Sequence, residues 1–144
     1  MARGGRLFAQ PRQGGRHHLA LRTGGVRQQQ PTDQGRVAFP PGGCAFLHKH
    51  WGPGIRCLLD GGIRIDTHGR STSYGPGTPW YETGSDPVFA QAAMDRPSRF
   101  IRVMVLPREL LGKSSFQFVN EADKAKPRVQ QYKILADAPI ATPK

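Results

Sequence analysis

The 144-residue chain has two cysteines, no long apolar run and no acidic residue before Asp33. Each shortage excludes something. Cys44 and Cys57 cannot form a disulfide framework, and neither sits in a Cys-x-x-Cys pair. They are expected to be buried free thiols in a reducing, cytoplasmic compartment. Without an apolar run long enough to span a bilayer, the expectation is a soluble protein with no membrane partner. No continuous apolar segment follows the first basic residues, which argues against a secretory signal. Residues 1–35 contain no serine, which argues against an organellar transit peptide. The serines at Ser71, Ser73, Ser85, Ser98, Ser114 and Ser115 lie in no nucleophile-elbow context, so serine-based hydrolysis is unsupported.

What is abundant is positive charge, a formal +11 at neutral pH. Such a balance raises nucleic acid as a partner. The distribution argues otherwise. Arg3, Arg6, Arg12, Arg16, Arg22 and Arg27 all precede the first acid, so about half of the excess lies in this stretch. Residues 1–35 are rich in Gly, Arg and Gln, with no sustained hydrophobic period, and read as a loose basic tail. A nucleic-acid-binding module would rest on that tail alone, because no aromatic–basic stacking motif follows. The folded domain is expected over 36–136, with a loose end over 137–144.

From Arg36 the texture becomes short β-favouring runs broken by Gly and Pro. Strands are expected near 36–39, 44–49, 55–59, 63–67, 71–74, 78–82, 87–92, 99–106, 115–119 and 130–135. Gly61-Gly62 and His68-Gly69-Arg70 supply hairpin turns. Pro107–Leu111 and Glu121–Lys126 read as short helical turns or loops. Many short, evenly spaced strands give an all-β fold, an antiparallel sandwich or barrel. The run Phe100–Leu106 is apolar on both faces apart from Arg102, which predicts a strand covered on each side, as at a homodimer interface.

One spacing carries chemistry. His48 and His50 stand two apart between a Pro-Gly turn and Trp51-Gly52-Pro53-Gly54. On a strand they share a face, so two imidazoles aim at one point, as a metal site requires. His68 belongs to a hairpin bend, and His17 and His18 to the tail.

The stretch from Pro40 to Gly61 resembles the first motif of the cupin superfamily, in particular its small RmlC-like members. That motif runs glycine, five residues, His-x-His, three or four residues, Glu, six residues, glycine. Gly42 or Gly43 opens the match, and His48, His50 and Gly61 fall in register, while the glutamate's place holds Gly54. The stretch from Tyr74 to Glu82 resembles the approach to the second motif. There Gly77 fits, but the proline falls at Thr83, the glycine at Ser85, the histidine at Val88 and the asparagine at Ala92. The resemblance implies a jelly-roll barrel with both metal motifs degenerate, a small-molecule ligand or substrate, and pairing into a homodimer.

It also implies one divalent metal, with iron, manganese, zinc and nickel not distinguished, or none. A metal enzyme would use His48 and His50 with Glu82 or Asp86 as third ligand. Glu82 has a second reading, as a strand residue paired with an arginine. Arg56 shares parity with position 54 and would bring a cation inside, in need of a carboxylate or an anionic ligand. Arg56, Trp80 and Phe89 are the expected ligand-binding residues. The alternative to the enzyme is a metal-poor cupin that binds or senses a small anion without catalysis.

Overall fold

A computed structural model describes residues 30–141. The ten strands are β1 Gln30–Phe39, β2 Cys44–His50, β3 Gly54–Asp60, β4 Ile63–Thr67, β5 Arg70–Tyr74, β6 Pro79–Glu82, β7 Val88–Ala92, β8 Ser98–Val105, β9 Phe116–Phe118 and β10 Gln131–Ile140. Single 3-10 turns occupy Arg108–Leu110 and Glu121–Ala125, where helical turns were expected. All ten expected strands are present. Two of them extend past their expected bounds by more than one residue. β1 takes in the last six residues of the expected tail, and β10 continues through 137–140, which was expected to be a loose end. The rest of the tail, with its basic arm, lies outside the described residues.

The strands form two five-stranded antiparallel sheets, ordered β10-β1-β8-β3-β6 and β5-β4-β7-β2-β9. Each sheet sends one face inward, where alternate residues meet: Val37, Phe39, Leu58, Trp80 and Phe100 from the first, Ala45, Ile63, Ile65, Val88, Ala90 and Ala92 from the second. This two-sheet sandwich is the expected all-β jelly roll.

The outer face of the first sheet carries exposed apolar residues. Ile101 and Val103 of β8 are exposed beside Ile55 of β3 and Tyr81 of β6. Among the described residues of the single chain, β8 is therefore covered on one face only. Cys44 and Cys57 are free, as expected, but half-buried.

One turn fixes the end of β2. Gly84 has φ of +87°, and a Cβ there would stand 2.3 Å from the Gly52 carbonyl oxygen. The Gly84 carbonyl accepts a 2.8 Å hydrogen bond from the His50 amide. Gly84→Ala therefore meets both left-handed strain and a backbone overlap that no rotamer relieves. It is expected to cost about 2 kcal/mol or more, read as a lower urea midpoint with an unchanged m-value. An unmoved midpoint would contradict this packing.

Candidate functional site

β2 carries the two histidines inward because its register shifts between Ala45 and His48, where a bulge restores the inward direction. From there the period of two holds, and His48 and His50 are both buried. Their ring centroids lie 5.0 Å apart in an edge-on arrangement. β9 pairs with the same strand and closes the site from the other side. Its Phe116 ring stacks on His48 at 4.4 Å and meets His50 edge-on at 5.9 Å.

Neighbours fix each ring. His48 Nδ1 lies 2.7 Å from the Phe46 carbonyl oxygen. A carbonyl only accepts, so Nδ1 carries the proton and Nε2 keeps its lone pair. His50 Nδ1 lies 3.0 Å from the hydroxyl of Ser115, itself fully buried. Burial pushes the His48 pKa down to about 4, against the raising effects of the Phe46 hydrogen bond and the Glu82 charge. Burial pushes His50 down further, helped by His48, Arg56 and Arg102. Both imidazoles are neutral at pH 7.

Arg56 and Glu82 face the same cavity from β3 and β6. Both are buried, and Arg56 Nη2 pairs with Glu82 Oε2 at 2.9 Å. Arg56 Nη1 donates to the Gly54 carbonyl at 2.9 Å, and Nη2 reaches the Met104 sulfur at 3.4 Å. Glu82 Oε1 accepts from the Trp80 indole N–H at 2.8 Å. Both carboxylate oxygens are thus engaged. In register, Gly54 lies between Glu82 and Met104, and Arg56 between Trp80 and Arg102. Gly54 has no room for a side chain: a Cβ there would be 2.5 Å from the Val103 carbonyl oxygen and 3.1 Å from Arg56 Nη1. The guanidinium fills the space beside the slot that the resemblance reserves for a glutamate.

The cavity measures about 80 Å³. Its wall includes His48, His50, Arg56, Trp80, Glu82 and Phe100, together with Arg102, Phe116, Arg128 and Tyr132. Arg102 stacks over the Tyr132 ring at 4.3 Å, and Arg128 over the Phe116 ring at 4.3 Å. The Tyr132 ring occupies the space above Gly35, where any Cβ would overlap it.

The sequence-predicted residues separate accordingly. His48, His50, Arg56, Trp80 and Glu82 come together. Asp86 does not. Past the Gly84 turn it pairs with His68 Nε2 at 3.3 Å on the outside of the fold. Phe89 also points away: its β7 neighbours Val88 and Ala90 face the core, so Phe89 takes the opposite face. The slots of the family's third histidine and asparagine are Val88 and Ala92, both core residues. Ser115, Arg102, Arg128 and Tyr132 were not anticipated. For Arg102 the signal was a lone cation in an apolar strand.

The donor set does not fit a metal held by three protein ligands. Two imidazoles converge, but Glu82 is bound on both oxygens and Asp86 is elsewhere. Among the described residues, no three His, Cys, Asp or Glu side chains form a metal-holding group.

No protein-family model and no curated protein matches the chain. Solved structures do. The chain is similar to an oxalate oxidase structure, at 16% identity and TM-score 0.53, over 61% of this chain and 46% of that one. It is similar to a cupin-like protein from Thermotoga maritima, at 21% identity and TM-score 0.52, over 65% and 72%. It is also similar to a DMSP lyase from Ruegeria pomeroyi, at 20% identity and TM-score 0.50, over 60% and 43%. The chain thus spans less than half the length of the oxidase and the lyase. These likenesses and the two-sheet topology establish the cupin fold for this chain.

Proposed function

We propose that the cavity binds a small organic anion, a carboxylate of a few carbon atoms, without a metal. The observation that carries this reading is the charge of the wall. Among the described residues of the wall, three are arginines, Arg56, Arg102 and Arg128, and one is a carboxylate, Glu82, which Arg56 engages. With both histidines neutral, the described residues of the wall carry more cations than carboxylates. Arg128, held by stacking on Phe116, is placed to receive a carboxylate. Trp80, Phe100 and Phe116 offer apolar surface to the carbon chain. His48 Nε2 can accept a hydrogen bond from a hydroxyl or acid proton of the ligand. The volume is well below the roughly 300–1,000 Å³ of sites for drug-sized ligands, so the ligand is small.

The metal enzyme, the other reading of the sequence, has less support because Glu82 is committed to Arg56 and Trp80. The enzymes among the similar structures share the fold with this chain, at identities too low to carry their chemistry over.

Calorimetric titration of the protein with acetate, propionate, oxalate, malonate and inorganic phosphate tests the reading. At least one carboxylate is expected to bind, with affinity falling as salt rises. Arg128 is exposed, so Arg128→Gln should leave the fold intact. It is expected to weaken binding tenfold or more, as the loss of a charge-assisted contact of about 1.5–3 kcal/mol implies. No heat with any of these anions at millimolar concentration would refute the proposal.

A further inference from the structure

The exposed apolar residues of the first sheet are not scattered. They stand in two adjacent cross-strand rows on its outer face. One row runs Tyr81, Ile55 and Val103 across β6, β3 and β8, and ends at Gln34 of β1. The next runs Pro79, Cys57 and Ile101, and continues into Arg36 of β1 and Lys133 of β10. Tyr81 is 62% exposed, Ile55 58%, Val103 46% and Ile101 39%. With about 200 Å² as the full surface of such a side chain, these four leave about 400 Å² of apolar surface open. A standard interface takes about 800 Å² from each partner, a little over half of it apolar. The patch therefore matches the apolar share of one such interface. Its side chains stand on a twisted sheet, a surface that a second twisted sheet fits with its strands nearly aligned.

We propose that this face pairs with the same face of a second copy of the chain, about a two-fold axis that runs along the strands between β3 and β8. The face is lopsided, and that fixes the axis. Its exposed ring, Tyr81, lies on the edge strand β6, and its cations, Arg36 and Lys133, lie on the opposite side, on β1 and β10. Rotation about this axis lays β6 of each copy over β1 of the other, and β3 over β8. Each Tyr81 ring then lies within reach of Arg36 of the partner subunit, a cation–π contact made twice. A two-fold axis across the strands would instead stack ring on ring and crowd the cations of both copies together. At the centre Ile55 and Cys57 meet the apolar residues of the facing β8. The two Cys57 thiols come within reach of a short cross-linker, because facing sheets lie about 10 Å apart.

The test is sedimentation equilibrium of the full chain at micromolar concentration, where a dimer is expected. Ile55→Asp and Val103→Asp place a charge at exposed positions, so the fold should stay intact, which far-UV circular dichroism checks. Each is expected to weaken the dimer by about a hundredfold or more, because the added charge is buried twice per dimer. Tyr81→Leu keeps the bulk and loses the ring face, and is expected to weaken it about tenfold. Trp51→Asp, exposed at the end of β2, is the control and should leave the dimer unchanged. A short bismaleimide is expected to join two wild-type chains, a product that Cys57→Ser abolishes and Cys44→Ser does not. Should an aspartate variant unfold, this cross-link decides.

A wild-type chain that is monomeric at micromolar concentration overturns the proposal. So does a dimer that both folded aspartate variants leave intact, or one whose Cys57 thiols no short bismaleimide joins. A monomer in which Cys57 reacts with maleimide only after residues 1–29 are removed also overturns it, and assigns the face to that segment instead.

Discussion

Glu82→Ala is expected to lower the stability of the fold by about 3–5 kcal/mol, and Arg56→Met by a similar amount. Each change leaves the partner as a buried, uncompensated charge. Arg56 and Glu82 are both buried, joined at 2.9 Å, so water cannot take over from the missing partner. The Glu82 change also strands the indole N–H of Trp80, whose acceptor is Glu82 Oε1. The Arg56 change removes the donor that satisfies the carbonyl of Gly54. Removing both charges at once should behave differently. The double variant R56M/E82M replaces an ion pair by apolar bulk of similar length, which often restores most of the loss. A double-mutant cycle from urea unfolding at pH 7.5 measures this, and a strong positive coupling is expected. Additive single losses would mean that the two groups do not act as a pair.

The pair also shows what could be read before any coordinates. Strand parity placed Arg56 on the face of position 54 and named Glu82 as a partner for it, since both follow from a period of two. The choice between Glu82 as ligand and Glu82 as ion-pair partner was not legible. It depends on the space above Gly54 and on Trp80 reaching Oε1, which are properties of three adjacent strands. His48 and His50 were legible because their spacing matches the strand period and a bulge corrects the register just before them. Phe89 was misplaced, although alternation beginning at the buried Val88 already turns it outward. Asp86 was misplaced because the Gly84 turn and Pro87 interrupt the strand between it and the cavity.

The mouth of the cavity was illegible for a different reason. Arg128 and Tyr132 reach it from a segment far along the chain; the pairing of β10 with β1 positions Tyr132, and stacking on Phe116 holds Arg128. Neither strand is evident over its whole length. Residues 30–35 are polar with Pro31, and residues 137–140 include Pro139, yet these segments pair with Pro31 opposite Pro139. Each is a strand because the other is there, an effect that local propensity does not record. The outer face of β8 follows the same logic in reverse. Its apolar residues Ile101 and Val103 predicted a cover as at a homodimer interface, and among the described residues of the single chain none lies over them.

Acid is expected to unfold this protein in a window that the two histidines set. His48 has an ordinary pKa of 6.5 when unfolded and about 4 when folded, with burial the main cause. His50 is lowered further for the same reason, with the His48, Arg56 and Arg102 charges adding to it. Above pH 6.5 neither state binds these protons, and stability is at its plateau. As pH falls below 6.5, the unfolded chain takes up protons that the folded cavity refuses. Proton uptake by the unfolded state alone favours unfolding, so stability falls with pH. Each group contributes about 1.4 kcal/mol per pH unit inside its window. For His48 the window closes near pH 4, a total of about 3 kcal/mol. His50 acts in the same direction and continues below that. Together they remove enough of the usual 5–15 kcal/mol of a domain to bring it close to unfolding. Urea midpoints at pH 7.5, 6.5, 5.5 and 4.5, in chelator-treated buffer, should hold level between the first two and then fall steeply. His48→Gln cannot take up a proton, so it should reduce the slope between pH 6 and 4. A midpoint that stays level down to pH 4.5 would mean that the imidazoles accept protons in the folded state. They would then be open to water instead of enclosed by Phe116 and the arginine-lined wall.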